Sequence, residues 1–446
     1  MHAPLAAPPL QPTLEVAPQP PTLIGNCKLA TAATRGDDLA PIWNALVGCV
    51  HANPMDAGAY LDLSTIAFIQ GRLKDRIALR TRALELSSVF RLPAKPSERR
   101  AVHVAAFVAV GDYLPNMPIE FLLDESEVTL DLVYVTPGKP LPPLPEHDVA
   151  FVAVAESTEN QPLLAELAAT LHAWPRPVLN RAERIAPLTR DGTWALLNGI
   201  SGLEIPVSVR VSREQLEAIC RQAERVADIV PGTRFPIVAR PLDTHLGDGL
   251  CKLDDAAAVE TYLRERTEAE FHVSPFVDYR SLDGLYRKYR VALIDGRAYA
   301  VHMAVAPHWM INYVNANMGE SAEKRAEEAR FMEQFDDDFA LRHAGPLQAI
   351  CERTGLDYLP FDCGETPDGR LLLFELGTNM IVHAMDPVDV YPYKRRQMEK
   401  VFGAFKDLLC ERSNAHRRRC EQSEPIAGLV QPAGASWRSA ALRPSQ

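Results

Sequence analysis

The chain has 446 residues, so we expect more than one domain, because a single hydrophobic core stops growing well below this length. Its hydrophobic content of 47% and charged content of 24% are ordinary for a soluble globular protein. The formal net charge of -11 argues against nucleic acid as a partner, since phosphate backbones are bound by basic surfaces.

Both ends of the chain are predicted to be disordered. Residues 1–35 are Pro-rich and lack the basic and apolar regions of a secretory signal, and residues 411–446 are rich in Ser, Ala, Arg and Pro. The cysteines show no CxxC pair and no metal-finger spacing, which indicates reduced thiols and a cytoplasmic location. The sequence has no uncharged apolar run of about 18 residues, so we expect no membrane span.

Residues 36–92 show a helical pattern in LAPIWNALVGCV, AGAYLDLSTIAFIQ and KDRIALRTRALELSS. In the second stretch Ala59, Leu63 and Ala67 recur every four residues, a spacing typical of closely packed helices. The segment resembles one tetratricopeptide-type helix pair. Because about three such repeats are needed to bury their faces, this pair must pack on another unit, and it is a candidate docking segment for a protein partner.

A small α/β domain is predicted over residues 100–178. The apolar runs VHVAAFVAV, VTLDLVYV and DVAFVAVAE read as strands, NQPLLAELAATLHAW as a helix and PRPVLN as a short strand. Strands that alternate with a helix in this way favour a largely parallel sheet.

A second, larger α/β unit is predicted over residues 179–408. SREQLEAICRQAERVADIV (212–230) reads as one amphipathic helix with Ser212 as its N-cap. FPIVARP and FHVSPFVDY read as strands, and KYRVALIDGRAYAVHMAV reads as a hairpin that turns at Asp295-Gly296.

The hairpin FDCGETPDGRLLLFELGTNM (361–380) places Asp362 and Glu375 on two strands predicted to be buried. An ionised carboxylate in a protein interior must be paired or must face a cation, because its desolvation is costly. Two interpretations stay open, a structural ion pair at the rim of the hairpin or a Mg²⁺ site to which Asn379 adds a neutral oxygen.

Two arginines upstream also end or begin apolar strands. Arg240 precedes a loop with Gly247 and Gly249, and such glycine loops can cradle phosphate oxygens, although most are ordinary turns. Arg290 begins a strand of the predicted hairpin, where it is either an anion ligand or an exposed strand-end residue.

In order and spacing, residues 175–405 resemble an ATP-grasp domain, as found in glutathione synthetases, D-alanine–D-alanine ligases and enzymes that add glutamate to ribosomal proteins. The chain as a whole also resembles bacterial proteins that join a tetratricopeptide segment to such a domain. The stretches that carry this wider resemblance are NMPIEFLL, HDVAFVAVAES, WPRPVLN, VDYRSLDGLYRKYRVALIDG and LDYLPFDCG. The resemblance implies an α/β fold in which a small α/β domain precedes the ATP-grasp domain, with an ATP pocket between two subdomains.

The resemblance also implies a role for each candidate residue. Asp362 and Glu375 would bind Mg²⁺, and Arg290 would hold the γ-phosphate and an acyl phosphate. The expected nucleotide-binding residues are Arg190, Arg240, Gly247, Gly249, Phe276, Val277 and Asp278. His302, His308, Trp309, Asn312 and Asn315 are candidates for the acceptor side.

The sequence departs from the family pattern at two positions. Arg240 stands where these families usually have a Lys, and Gly377 stands where the second metal strand usually has an Asn. Asn379, two residues further on, is the candidate substitute.

The function that the resemblance implies is an ATP- and Mg²⁺-dependent ligase, which joins a small-molecule or peptide carboxylate to an amine or thiol through an acyl phosphate. The alternative is a nucleotide-binding scaffold with weak catalysis that docks a partner through its helical segment. A homodimer is the default expectation for the assembly.

Overall fold

The computed structural model describes residues 19–97, 101–111, 116–222, 224–244, 247–312 and 315–423. Within these ranges the chain is an α/β protein, as the sequence predicts. Strands and helices alternate along it and form three sheets in the described residues. None of the helices described is long and apolar enough to cross a membrane.

The N-terminal unit is helical. Its helices are α1 (Asn26–Thr34), α2 (Ala40–Ala52), α3 (Ala57–Ile69) and α4 (Leu73–Leu86). Helix α3 is the centre of the unit, since most of its residues are buried beneath α1, α2 and α4. Ala57, Leu61 and Ala83 of this unit also belong to the hydrophobic core of the following sheet, so the helices pack on that sheet as expected.

Helix α1 corrects the predicted extent of the N-terminal tail. The buried Asp62 side chain accepts hydrogen bonds from the backbone N–H of Ile24 (2.8 Å) and of Gly25 (3.1 Å). Glu120 accepts from the N–H of Asn26 at 2.7 Å. These carboxylates satisfy N–H groups that have no partner at the start of a helix, which explains why an ordered helix begins inside the Pro-rich region. Residues 1–18 of the predicted tail lie outside the described residues.

The first sheet has the strand order β1-β3-β2-β4-β5. Its strands are β1 (Val89–Leu92), β2 (Val102–Ala109), β3 (Val128–Val135), β4 (Val149–Val152) and β5 (Val178–Leu179), and helix α5 (Gln161–Leu171) connects the last two. All its pairings are parallel except that of β1 with β3. The predicted parallel sheet is therefore confirmed, with one extra strand from the segment predicted to be helical.

The second sheet has the order β7-β10-β8-β9. It is preceded by α6 (Ala182–Ile185), α7 (Arg190–Leu197) and β6 (Leu203–Glu204). It consists of β7 (Val209–Ser212), β8 (Ile237–Pro241), β9 (Cys251–Leu253) and β10 (Glu270–Pro275), and it is covered by α8 (Arg213–Cys220), α9 (Val226–Ile229) and α10 (Ala256–Glu265).

The single helix predicted over 212–230 is wrong. Ser212 caps α8 as expected, since its side chain accepts from the N–H of Gln215. However, α8 ends at Cys220, and Gln222 has a left-handed backbone with φ of 56°. Asp228 then accepts from the backbone N–H of Arg225 at 3.1 Å, which starts the separate helix α9.

The third sheet has the order β12-β11-β13-β14-β6. Its remaining strands are β11 (Tyr286–Ile294), β12 (Arg297–Ala306), β13 (Tyr358–Glu365) and β14 (Leu371–Leu376). The associated helices are α11 (Ala322–Glu333), α12 (Phe339–Arg342), α13 (Ala344–Thr354) and α14 (Lys394–Ser423).

Helix α14 corrects the predicted start of the C-terminal tail at residue 411. Leu408 and Leu409 are buried against the sheets, and Arg412 pairs with Asp295 at 2.5 Å, which continues the helix past that position. Residues 424–446 of the predicted tail lie outside the described residues.

Candidate functional site

A cavity of about 690 Å³ lies between the second and third sheets. Its apolar lining includes Ile205, Val238, Phe276, Val301, Leu372 and Phe374. Its charged lining is formed by Arg190, Arg240, Lys288, Arg290, Asp362, Glu375, Asp386 and Lys394. A cleft with both kinds of surface suits a ligand that combines an apolar ring with an anionic group.

Asp362 and Glu375 lie directly opposite each other on the antiparallel strands β13 and β14. Asp362 is 1% exposed, whereas the Glu375 side chain is 38% exposed. The hairpin therefore brings the two predicted carboxylates together at one wall of the cavity.

Two cations of β11 hold Asp362. Arg290 donates to it from Nε (2.7 Å to Oδ1) and Nη2 (3.0 Å to Oδ2), and Lys288 Nζ lies 2.6 Å from Oδ2. Burial acts to raise the pKa of Asp362, but the two cations hold that pKa well below its usual value, so the carboxylate is ionised. Asp362 is thus an ion-paired carboxylate, as one of the two interpretations of the sequence predicts. It also lines the cleft.

Sequence reasoning missed Lys288, although a signal was present. Side chains two residues apart on a strand point to the same face, so Lys288 shares the face of Arg290. Arg290 also donates from Nη1 to the Ile381 carbonyl at 3.0 Å, which fixes the guanidinium against the loop after β14.

Glu375 pairs with Arg190 instead of with the β11 cations. Arg190 Nη2 lies 2.6 Å from Glu375 Oε1, and Arg190 begins α7 directly after its N-cap, Thr189. Burial acts to raise the pKa of Glu375, and the charges of Arg190 and Arg240 lower it below its usual value. Arg190 therefore belongs to the site, in contact with a carboxylate.

Arg240 is 7% exposed and hydrogen-bonds to the side chain and carbonyl of Thr244. Burial, and then the neighbouring Arg190, lower the pKa of Arg240 to about 10. No carboxylate among the described residues forms an ion pair with it. A buried guanidinium with no carboxylate partner favours the approach of an anion, because the Thr244 oxygens offset only part of its desolvation.

Gly247 and Gly249 have different surroundings. Gly247 lines the cavity, whereas Gly249 does not. A Cβ on Gly249 would lie 2.5 Å from Cδ of Pro241, and its carbonyl accepts from the Tyr262 hydroxyl at 2.8 Å. Gly249 is therefore packed closely against the second sheet, and its role in nucleotide binding stays a prediction.

The segment after β10 contributes two of its three predicted residues. Phe276 and Val277 line the cavity, and the Phe276 N–H donates to the Pro236 carbonyl at 3.1 Å. Asp278 does not line the cavity. It pairs with Arg280 at 2.9 Å, and its contact with a nucleotide stays a prediction.

Asn379 does not line the main cavity, but it lines a smaller one of about 70 Å³ together with Glu375 and Gly377. A Cβ built on Gly377 would lie 3.0 Å from Asn379 Oδ1. The Asn379 amide thus occupies the space that a side chain at position 377 would enter, and the exchange of roles between the two positions stays a prediction.

The acceptor-side candidates divide in the same way. His302, Trp309, Asn312 and Asn315 line the cavity, and the exposed His308 does not. Sequence reasoning missed further lining residues after β14, namely His383 and Asp386 in the loop and Lys394 at the start of α14. Lys394 Nζ lies 3.2 Å from both Glu328 and Asp386. No motif or spacing signalled these residues, because the loop has no regular period.

Two buried polar atoms, one on the second sheet and one just before it, make no hydrogen bond in the described structure. They are His272 Nδ1 on β10 and Ser208 Oγ, directly before β7, and both residues line the main cavity. A buried polar atom left without a partner costs about 1–3 kcal/mol, so such atoms point to a ligand that supplies the missing contact.

The donor set fits Mg²⁺ on chemical grounds. Mg²⁺ sites commonly use one or two carboxylates and take further oxygens from phosphates and water. Asp362 and Glu375 supply two adjacent ionised carboxylates at the cavity wall. The described ranges contain no cluster of three or more His, Cys, Asp or Glu residues that could hold a metal, so an all-protein cage is not formed there.

Comparison with known proteins found no matching family model and no matching curated protein. Among solved structures, a RimK-domain ATP-grasp protein from Sphaerobacter thermophilus aligns over 69% of this chain and 99% of its own, with 18% identity and a TM-score of 0.39. The VanG D-Ala:D-Ser ligase from Enterococcus faecalis aligns over 70% of this chain and 99% of its own, with 13% identity and a TM-score of 0.41. The D-alanine–D-alanine ligase from Coxiella burnetii aligns over 72% of this chain and 100% of its own, with 13% identity and a TM-score of 0.41.

Proposed function

We propose that the chain is an ATP- and Mg²⁺-dependent ligase of the ATP-grasp type, which joins a carboxylate to an amine or a thiol. The observation that carries this proposal is the position of Asp362 and Glu375, which meet as opposed residues at a wall of the cleft. Arg240, buried and without a carboxylate partner among the described residues, belongs to the second sheet across the same cleft.

The cleft offers a separate place for each part of ATP. Phe276, Leu372 and Phe374 provide an apolar lining for the base, next to the backbone of Val277. Arg190 and Arg240 provide cations for the phosphates, which a fixed guanidinium binds in a bidentate manner.

Asp362 and Glu375 would hold Mg²⁺, with Asn379 as a third oxygen donor. The ion supplies neutralisation of negative charge on the phosphate oxygens. For Asp362 to contribute an oxygen, Lys288 must give up its contact with Oδ2, and a phosphate is the natural new partner for this lysine.

In the first step a substrate carboxylate oxygen attacks the γ-phosphorus, and the bond from that phosphorus to the β–γ bridging oxygen breaks. The products are an acyl phosphate and ADP. An amine nitrogen or thiol sulfur then attacks the acyl carbon, the acyl carbon–oxygen bond breaks, and phosphate and a proton leave. Arg290 and Lys288 lie where they can stabilise the charge on the transferred group, since both line the cavity beside Asp362.

A second candidate is a nucleotide-binding protein with little turnover. It is favoured by the contacts of Asp362, because both of its oxygens are already paired with β11 cations. It is also favoured by Gly377, which supplies no side-chain ligand. The two candidates differ in substrate-dependent release of ADP.

The test is to add purified protein, ATP and Mg²⁺ to a metabolite extract and to measure ADP, phosphate and the metabolites consumed by mass spectrometry. The ligase proposal predicts ADP release together with loss of one carboxylate and one amine or thiol compound. The matched control is Asp362→Asn. Binding of ATP without any substrate-dependent ADP release would favour the second candidate.

A further inference from the structure

Three side chains form one row across the second sheet. His272 on β10 is the register partner of Arg210 on β7 and also of Arg240 on β8. Because opposed residues on neighbouring strands point to the same face, the imidazole lies between two guanidinium groups. Arg240 and His272 line the main cavity, and all three residues line the smaller one.

The imidazole of His272 is buried, with the residue 9% exposed, and Nδ1 has no hydrogen-bond partner among the described atoms. Burial, and then the charge of Arg190, lower the pKa of His272 to about 4. The ring is therefore neutral in the free protein and leaves a polar atom unsatisfied.

The electrostatic surroundings of His272 come from every element packed around it. The charged groups are Arg190 and Asp191 of α7, Arg210 of β7, Arg240 of β8, Glu375 of β14, and Glu156 and Asp243 of the adjoining loops. Asp191 is paired with Arg210 at 3.2 Å and Glu375 with Arg190 at 2.6 Å. Of these three arginines, Arg240 is therefore the one that forms no ion pair with a described carboxylate.

We propose that His272 is a ligand of the nucleotide's phosphate chain and takes up a proton when the nucleotide binds. This inference rests on the proposed function, in which the cleft binds ATP. Phosphate oxygens bring negative charge and hydrogen-bond acceptors to the row that contains Arg240, whose charge is not paired with a described carboxylate, and His272 Nδ1, which lacks a hydrogen-bond partner. Both changes favour the imidazolium, which donates from both ring nitrogens.

The sign of the pH dependence follows from linkage. Because the imidazole is neutral in the free protein and protonated in the complex, binding consumes a proton. Nucleotide affinity therefore falls as the pH rises from the range in which His272 titrates in the free protein to the range in which it titrates in the complex. For one proton, the fall is at most about tenfold per pH unit. Above the range in which His272 titrates in the complex, its protonation no longer makes affinity depend on pH.

The experiment is titration calorimetry of the full chain with ADP in buffers of equal pH and different ionisation enthalpy, which measures protons taken up per nucleotide bound. The phosphates of ADP also take up protons in this pH range. The wild type is therefore compared with His272→Gln, for which the proton uptake by ADP itself is the same. His272→Asn, which places an amide near the Nδ1 position, is a second variant in case the first does not fold. His172→Gln is the matched control, since His172 is exposed at the end of α5.

We expect the wild type and His172→Gln to take up between about half a proton and one proton more than His272→Gln, with a steeper loss of ADP affinity as pH rises. Equal proton uptake and equal pH profiles for the wild type and both His272 variants would overturn the inference while leaving the proposed function intact. Absence of nucleotide binding by the wild type at any pH would overturn both.

Discussion

Asp362 and Glu375 are opposed on neighbouring strands, yet each is paired with a cation from a different element. Asp362 is held by Arg290 and Lys288 of β11, and Glu375 by Arg190 of α7. Both carboxylates are thus kept ionised by the protein's own charges, in adjacent positions where like charges would otherwise raise the pKa of one of them. This arrangement keeps two ionised carboxylates side by side, as the proposed Mg²⁺ site requires.

Glu375→Gln should abolish most of the Mg²⁺-dependent turnover. The amide keeps the shape of the side chain but removes a negative charge, so we expect ADP release to fall by about 10²-fold or more. The control is Glu204→Gln, which removes another carboxylate paired with an arginine in the same sheet but outside the cleft. Equal rates for the wild type and Glu375→Gln would remove Glu375 from the metal site.

Arg290→Lys should lower turnover more than ATP affinity. Lysine keeps the charge but cannot make the two parallel contacts with Asp362 or a bidentate contact with a phosphoryl group. We expect the rate of ADP release to fall about 10²-fold, with ATP affinity changed by less than about threefold. Arg287→Lys is the matched control, because Arg287 lies on the same strand and pairs with Asp283 and Glu327 outside the cleft. A loss confined to affinity would contradict the role of Arg290 in the transfer step.

Asn379→Ala should reduce Mg²⁺-dependent ADP release by about tenfold, because it removes an oxygen donor beside Glu375. Asn379→Asp, which keeps an oxygen donor, is the conservative control. Adding Gly377→Asn to Asn379→Ala should restore the rate, since a side chain at position 377 would then enter the space vacated by the Asn379 amide. If Asn379→Ala is fully active, position 379 has no part in metal binding.

The pH dependence of stability has a separate source in Glu365, at the end of β13. Burial acts to raise its pKa, but hydrogen bonds from His343 (2.8 Å) and Arg342 lower the pKa of Glu365 to about 2. Because the pKa of Glu365 is depressed in the folded state, the Glu365 carboxylate stabilises the fold fully at pH values above its pKa in the unfolded chain. This stabilisation is lost as the pH falls towards about 2. The contribution is at most about 3 kcal/mol.

Urea unfolding of the wild type and of Glu365→Gln checks this expectation. The difference in free energy of unfolding should be largest near neutral pH and should shrink as the pH falls below about 4.5. Glu352→Gln, at an exposed position on α13, should show no such trend. A difference that does not vary with pH would show that the loss comes from packing instead of charge.

Periodicity and turn chemistry were sufficient to predict most of the fold. The hairpin of β11 and β12 turns at Asp295-Gly296 as predicted, and strand β3 has the predicted bounds of 128–135. The errors occur where tertiary contacts override local pattern. Helix α1 depends on Asp62 and Glu120, which accept hydrogen bonds from backbone N–H groups at its start. These N–H groups are 38 and 94 residues away in the sequence. Such long-range contacts have no signal in a local window.

The site was predictable where an apolar run of the sequence begins or ends at a charged residue, although Arg290 and Asp362 lie inside strands β11 and β13 and not at their ends. Asp362, Glu375 and Arg290 were found in this way, and all line the cavity. His272 was missed because one histidine on an apolar strand is indistinguishable from a core residue until its neighbours across the sheet are known. Asp278 was predicted to face the ligand, but its ion pair with Arg280 is a side-chain preference that spacing does not determine.

The most direct test of the central claim, that Asp362 and Glu375 hold a divalent cation together with nucleotide phosphates, is calorimetric titration with ATP in the presence and absence of Mg²⁺. The comparison includes Asp362→Asn, Glu375→Gln and the double variant. The account predicts that Mg²⁺ strengthens ATP binding to the wild type by at least about tenfold and has little effect on the double variant. ATP affinity that is the same with and without Mg²⁺ in the wild type would contradict the account and would leave the two carboxylates as members of structural ion pairs.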